Sequence, residues 1–180
     1  MLRGEVINIV NRVNVTEMSV QCLKTIQLLP LSLEEAWDFF ATPLNLSRIK
    51  PSGMLFKILS ELPPEIYPGL LIHYRVAPIW HIPLAWTTEI TKVVPRQYFV
   101  DEQRIGPFKL WHHEHHFTET DTGVRMTDIL HYEIGMSLPG TLAGMLFVHA
   151  KVRWIFEYRY RKLAQMFGAQ HTETEHSHEY

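Results

Sequence analysis

"LPGTLAGMLFVHAKVRWIFEYRYRKLAQMFG", residues 138–168, is the stretch whose reading decides the fold. Leu142, Met145, Leu146, Val152, Phe156, Leu163 and Phe167 recur at helical spacing, which predicts one helix over Leu138–Phe167. Pro139 suits its first turn and Gly168 its C-terminal cap. At about 1.5 Å of rise per residue it would run roughly 40 Å, enough to cross a small domain. His149, Lys151 and Arg153 interrupt the apolar run, so it reads as an amphipathic helix and not a membrane span. Such a helix needs a broad apolar partner.

The preceding residues supply one. Ser19–Leu29 is strand-like and ends at Pro30. "LSLEEAWDFF" then starts a helix, with Ser32 and Glu35 as a capping box and Leu31 as a hydrophobic staple. Pro43 breaks it, and "PLNLSRIKP" suits a second short helix ending before Pro51. Alternation follows: Met54, Phe56 and Ile58; Leu70, Ile72, Tyr74 and Val76; Leu84, Trp86 and Ile90; Phe99, Asp101 and Gln103; then 110–117 and 124–134. Turn signals at "LPPEIYPG", Pro95, "IGP" and "ETDTG" separate these segments, which makes an antiparallel meander of about six strands. The order of elements predicts an α+β fold, a curved antiparallel sheet wrapped around a long C-terminal helix. Residues 1–18 read as an N-terminal extension, 19–168 as the domain and 169–180 as a polar, mobile tail.

Composition narrows the function classes. In 180 residues, 17 basic against 19 acidic side chains leave a formal net charge of -2, so no electrostatic footprint for nucleic acid or an anionic membrane is present. Cys22 is the one cysteine, so no internal disulfide can form, and a cytoplasmic setting is expected. The N-terminus lacks a long apolar core and a small-residue cleavage site, which argues against secretion. Lys151, Arg153, Arg159, Arg161 and Lys162 spread around the long helix with Glu157 and read as a solvated face. The 11 histidines are the compositional oddity.

Several phrases, "AWDFFATPLNLSRIKP" (36–51), "YPGLLIHY" (67–74), "FVDEQRIGPFKLWHHEHHF" (99–117) and "MTDILHY" (126–132), resemble the START-like or SRPBCC superfamily. That superfamily includes lipid-transfer START domains, birch-pollen-allergen-like proteins and polyketide cyclases. The closer likeness is to bacterial ligand-binding SRPBCC domain proteins. It spans roughly Ser19 to Phe167 and implies a helix-grip fold with a deep cavity between the C-terminal helix and the sheet. In "IWHIPLAW" (79–86) it places a hairpin rich in apolar residues, read as packed or as a gate for lipid entry. The superfamily's chemistry is varied, so the likeness constrains the reaction little.

"LWHHEHHF" (110–117) concentrates four of the histidines. Strand alternation puts Trp111, His113, His115 and Phe117 on one face, and Leu110, His112, Glu114 and His116 on the other. Aromatic residues bracket the first set, so that face should be inward and the outer trio solvated. Equal parity on neighbouring strands brings Phe99, Asp101, Gln103, Met126, Asp128, Leu130 and Tyr132 to the same concave side. His149 can approach from the helix.

Four readings of this cluster follow. Asp101 and Asp128 can simply be satisfied by His113 and His115 in a structural network. The polar groups can orient a ligand in an apolar pocket, with Tyr74, Trp86, Phe99, Asp101, Gln103, Trp111, Met126, Tyr132, Met145 and His149 as contacts. A histidine held by Asp128 can act as general acid or base, making His113, His115 and Asp128 the catalytic candidates of a cyclase or dehydratase. His-x-His can also offer two metal ligands, with Asp128 or Asp101 as a conceivable third, but no second motif fixes a third. The sequence favours binding of a small hydrophobic or lipid-like molecule, with no cofactor, metal, nucleic acid or stable membrane insertion expected. The rivals are the cyclase or dehydratase and an accessory interaction module with a filled cavity.

Overall fold

The computed structural model of the chain describes residues 20–51, 53–77, 83–135, 142–168 and 170–178. The N-terminal extension and the apolar centre of the "IWHIP" hairpin therefore lie outside the described residues. Strand β1 (Gln21–Leu29) leads into helix α1 (Leu33–Phe40), a single 3-10 turn (Pro43–Asn45) and the short helix α2 (Leu46–Ile49). Six strands follow: β2 (Leu55–Ile58), β3 (Leu70–Ala77), β4 (Leu84–Val94), β5 (Tyr98–Ile105), β6 (Phe108–Thr120) and β7 (Gly123–Ile134). Helix α3 (Leu142–Phe167) and strand β8 (Gln170–His178) close the chain. The sheet order is β2-β3-β4-β5-β6-β7-β1-β8, antiparallel throughout. This is the antiparallel sheet and long C-terminal helix expected from the order of elements, and the helix-grip arrangement that the resemblance implies.

Local chemistry accounts for the boundaries. The Ser32 amide donates to Glu35 Oε2 (2.9 Å) and the Glu35 amide donates to Ser32 Oγ (3.2 Å), so the capping box satisfies two otherwise orphaned donors at the start of α1. Gly168 ends α3 with φ of 73°, its N–H donating to the Ala164 carbonyl, a conformation glycine reaches without strain. At the β6–β7 turn, Gly123 has φ of 143° and an added Cβ would lie 2.1 Å from the Leu29 carbonyl oxygen. Only glycine fits there. Register slips between Thr87 and Thr88, between Ile90 and Lys92, and between Phe108 and Leu110 insert bulges that bend the sheet around α3.

Two apolar clusters flank the concave face. Val148, Val152 and Phe156 of α3 pack on Leu23, Leu130 and Tyr132 of the sheet. Further along, Leu163 joins Trp37, Phe40, Phe99, Phe117 and Met126 beneath α1. The buried stripe of α3 is thus Val148–Val152–Phe156–Leu163, and Leu146, expected on it, is 49% exposed. With Val148 facing the sheet, Leu146 lies two residues away and turns to the far side.

The expectation of a mobile polar tail is corrected by β8. Gln170–His178 pairs with β1 from Gln21↔His178 to Leu28↔Gln170, covering an edge that β7 leaves open on its other side. "QHTETEHSH" is polar at both parities, so alternation cannot announce this strand, whereas an unpaired row of backbone groups can recruit it. No described helix is long and apolar enough to cross a membrane.

Candidate functional site

Register assembles the polar cluster. On β5 and β6, Asp101 stands opposite His113 and Phe99 opposite His115. On β6 and β7, His115 stands opposite Asp128. Each imidazole therefore lies between two carboxylates. Asp101 Oδ2 is 2.9 Å from His115 Nε2 and 3.4 Å from His113 Nδ1. Asp128 Oδ1 is 2.6 Å from His115 Nδ1 and 3.4 Å from His113 Nε2. Neither contact of Asp128 Oδ1 is an aligned hydrogen bond, which leaves Asp128 Oδ1 and His113 Nε2 without one.

Packing holds the rings in place. His115 stacks on Phe99 at 4.2 Å between centroids, His113 leans on Phe156 at 5.2 Å, and the two imidazoles are 3.9 Å apart. His113, His115 and Asp128 are only 5%, 4% and 6% exposed. From α3, Arg159 Nη2 reaches His115 Nδ1 at 3.4 Å and Asp128 Oδ1 at 3.7 Å.

Burial opposes charge at Asp101, Asp128 and His113, and their partners override it. Against burial, His113 and His115 hold the Asp101 carboxyl well below its ordinary range. Arg159, His115 and His113 do the same for Asp128. Burial disfavours protonation of His113, yet the two carboxylates raise its pKa above the ordinary value. Burial, aided by the charge of Asp101, pushes the Tyr74 hydroxyl far up, so it stays an O–H.

The inner face of the sheet, α1–α2 and α3 enclose a cavity of about 250 Å³. Its wall is mostly apolar, from Phe56, Ile72, Val76 and Ile155 among others, and its polar groups centre on Asp101, His113, His115 and Arg159. A filled cavity, the third expectation, is therefore not what the fold contains. Of the residues expected at the site, Tyr74, Trp86, Phe99, Asp101, Trp111, His113 and His115 line this cavity together. Trp86 and Trp111 meet edge to face at 5.2 Å, and the Trp86 indole N–H donates to Thr88 Oγ1 at 3.0 Å.

The remaining candidates lie elsewhere. The Gln103 amide donates to the Phe108 carbonyl (2.7 Å) and accepts from the Phe108 N–H (3.3 Å), clamping the β5–β6 turn. Met126 and Asp128 border a separate cavity of about 10 Å³ beneath Arg159. Tyr132, wholly buried, pairs with His149 Nδ1 at 2.8 Å in the cluster around Val148 and Val152. Met145 is half-buried on the first described turns of α3, away from the cavity wall.

The outer trio also differs from a solvated edge. His112 Nδ1 meets Glu102 Oε1 at 2.9 Å, His116 Nε2 meets Glu114 Oε2 at 2.7 Å, and His116 stacks on Tyr98. The pairs leave Glu114 half-buried, and despite that burial His116 and His112 lower its pKa.

Arg159 is the residue that sequence reasoning misplaced, by assigning it to a solvated basic face. It lies three residues after Phe156 and four before Leu163, which is the buried stripe itself. That spacing was the available signal. A guanidinium on a buried stripe requires an anion inside, and Asp128 supplies it.

A curved antiparallel sheet gripping a C-terminal helix around an apolar cavity defines the class, a helix-grip domain. The chain belongs to the family described as polyketide cyclase / dehydrase and lipid transport, whose profile matches residues 29–169. The fold is similar to that of the Zhui aromatase/cyclase from Streptomyces sp. R1128, with TM-score 0.65 and 12% identity over 83% of this chain and 94% of that one. It is similar also to the di-domain ARO/CYC StfQ of the steffimycin biosynthetic pathway (TM-score 0.62, 14% identity, 83% of this chain, 51% of that one). Protein CV1439 from Chromobacterium violaceum is comparable, with TM-score 0.62 and 14% identity over 81% of this chain and 96% of that one. No curated protein matches the chain. At these identities the solved structures speak to fold alone.

Proposed function

We propose that the domain binds a small, largely apolar molecule bearing a carbonyl or hydroxyl group in its central cavity. The carrying observation is the open volume of about 250 Å³ with an apolar wall and a cluster of polar groups at Asp101, His113 and His115. Apolar contact supplies affinity, and a few convergent polar groups set orientation. Tyr74 adds a neutral O–H donor to the wall.

Equilibrium dialysis of the full chain with 1-naphthol and with naphthalene tests this reading. One-to-one binding with preference for the oxygenated probe, lost in Val76→Phe, is the expected result. Binding that is absent, or unaffected by filling the cavity at Val76, would overturn it.

A second reading is favoured by one observation, the contact of His115 Nε2 with Asp101 at the cavity wall. A histidine so held can move a proton in a cyclisation or dehydration of a polyketide-like substrate. His115→Gln would then abolish turnover while leaving binding of the substrate measurable.

A further inference from the structure

Two neutral imidazoles satisfy the cluster only in part. Each ring has one N–H and one lone pair. If His113 and His115 direct N–H groups at Asp101, the opposite nitrogens present lone pairs to Asp128 Oδ1, at 3.4 and 2.6 Å. If the tautomers reverse, the lone pairs meet Asp101 Oδ2 at 3.4 and 2.9 Å. With like tautomers one buried carboxylate faces two acceptors, and with opposite tautomers each carboxylate meets one N–H and one lone pair. The charges agree: two carboxylates against Arg159 leave a net single negative charge when both rings are neutral. A proton or a cation among these groups would neutralise that charge.

The arrangement has a definite polarity. His113 Nδ1, His115 Nε2 and Asp101 converge, and all three residues line the large cavity. One donor atom from each lies within 4.8 Å of the others. Around an ion with bonds of roughly 2.0–2.1 Å, neighbouring donors are about 3.0–3.4 Å apart, close to the 2.9 and 3.4 Å of the two Asp101 contacts. The far nitrogens, His113 Nε2 and His115 Nδ1, lie 3.4 and 2.6 Å from Asp128 Oδ1, outside that cavity, and Arg159 Nη2 also reaches His115 Nδ1 at 3.4 Å. Metal-bound imidazoles characteristically donate their other N–H to a carboxylate behind them. An ion at the first set would fix both tautomers and give His113 Nε2 and Asp128 Oδ1, now without aligned partners, a donor and an acceptor role.

We propose that Asp101, His113 and His115 form a binding site for a first-row divalent transition-metal ion of the Zn²⁺/Co²⁺ class. Asp128 orients the two histidines, and the open coordination positions face the cavity. Two histidines and one carboxylate leave room for water or a ligand oxygen. The site stands independently of which organic molecule the cavity takes, because the metal alone is the probe.

The test uses the full chain, freed of metal with chelator and titrated with Zn²⁺ by calorimetry and with Co²⁺ by visible absorption. A single one-to-one site is expected, weakened at least about 100-fold in His113→Gln and Asp101→Asn. Asp128→Asn should weaken it about 10–100-fold through the orientation of the rings. His112→Gln with His116→Gln should leave it unchanged, since that pair lies on the opposite face. Where a variant does not fold, paramagnetic broadening by Co²⁺ in the unaltered chain decides: ring signals of Phe99 and Phe156, which pack on His115 and His113, should broaden first. Broadening centred on Tyr98 beside His116, or on the histidines of 171–178, would overturn the proposal, as would the absence of one-to-one binding.

Discussion

Asp128 and Arg159 show how a single residue pair can determine the state of a buried site. Arg159 is 13% exposed in its side chain and Asp128 8%, and Asp128 Oδ1 is the anion facing the guanidinium. Breaking a buried pair by removing one member leaves the other charge uncompensated, at a cost of about 3–5 kcal/mol. Asp128→Ala and Arg159→Met should each destabilise the metal-free protein by about that much, and the double variant should lose clearly less than their sum. Urea denaturation with chelator present measures all three; strict additivity would mean the two groups do not act on each other. At this scale the sequence was informative about direction and silent about register. Alternation placed Trp111, His113, His115 and Phe117 inward, as burial along β6 bears out for the last three. It could not say that Asp101 would face His113 and Asp128 would face His115, because those pairings depend on turn lengths and on the slip at Phe108–Leu110. The same gap explains Gln103, which follows the last β5–β6 pair, Glu102↔His112, and whose amide is consumed by the backbone of Phe108 across the turn.

Elements with their own local signals were legible, and those made by a neighbour were not. The capping box at Ser32 and Glu35, the proline break before Pro43–Asn45 and the glycine stop at Gly168 all act within one turn of chain, so their positions follow from residue type. β3 alternates buried and exposed from Leu70 to Val76 as its sequence does. Strand β8 carries no such pattern and exists because β1 offers an edge. Its removal therefore has a specific consequence. A chain ending at Gly168 leaves β1 paired only to β7, with its other row of amides and carbonyls open to another copy. Self-association of that truncated chain should rise with concentration in light scattering, and amides of Cys22–Leu28 should exchange faster than in the full chain. A truncated chain that stays monomeric with unchanged exchange would show that β8 does not protect this edge.

On the scale of the whole molecule, the cavity sets stability against occupancy. Its wall draws on β2, β3, β4, β5, β6, α3 and the α1–α2 segment, so an occupant touches both apolar clusters and the polar residues between them. A ligand confined to the folded state stabilises it by about 2.7 kcal/mol at a free concentration 100-fold above its dissociation constant. Open apolar volume also forgoes packing that a larger side chain can supply. Val76 is 7% exposed, stands opposite Phe56 and Leu84 on neighbouring strands and faces the cavity, so Val76→Phe extends a ring into free space. The two effects compete for one volume. Val76→Phe should raise the melting temperature of the ligand-free chain, and 1-naphthol, which stabilises the unaltered protein, should then add little. The comparison is made by thermal denaturation with and without the probe. A variant that melts lower yet keeps its full response to 1-naphthol would mean that the probe binds outside the cavity. A variant that melts higher and loses the response would show that the volume left unfilled by the core is the volume kept for the ligand.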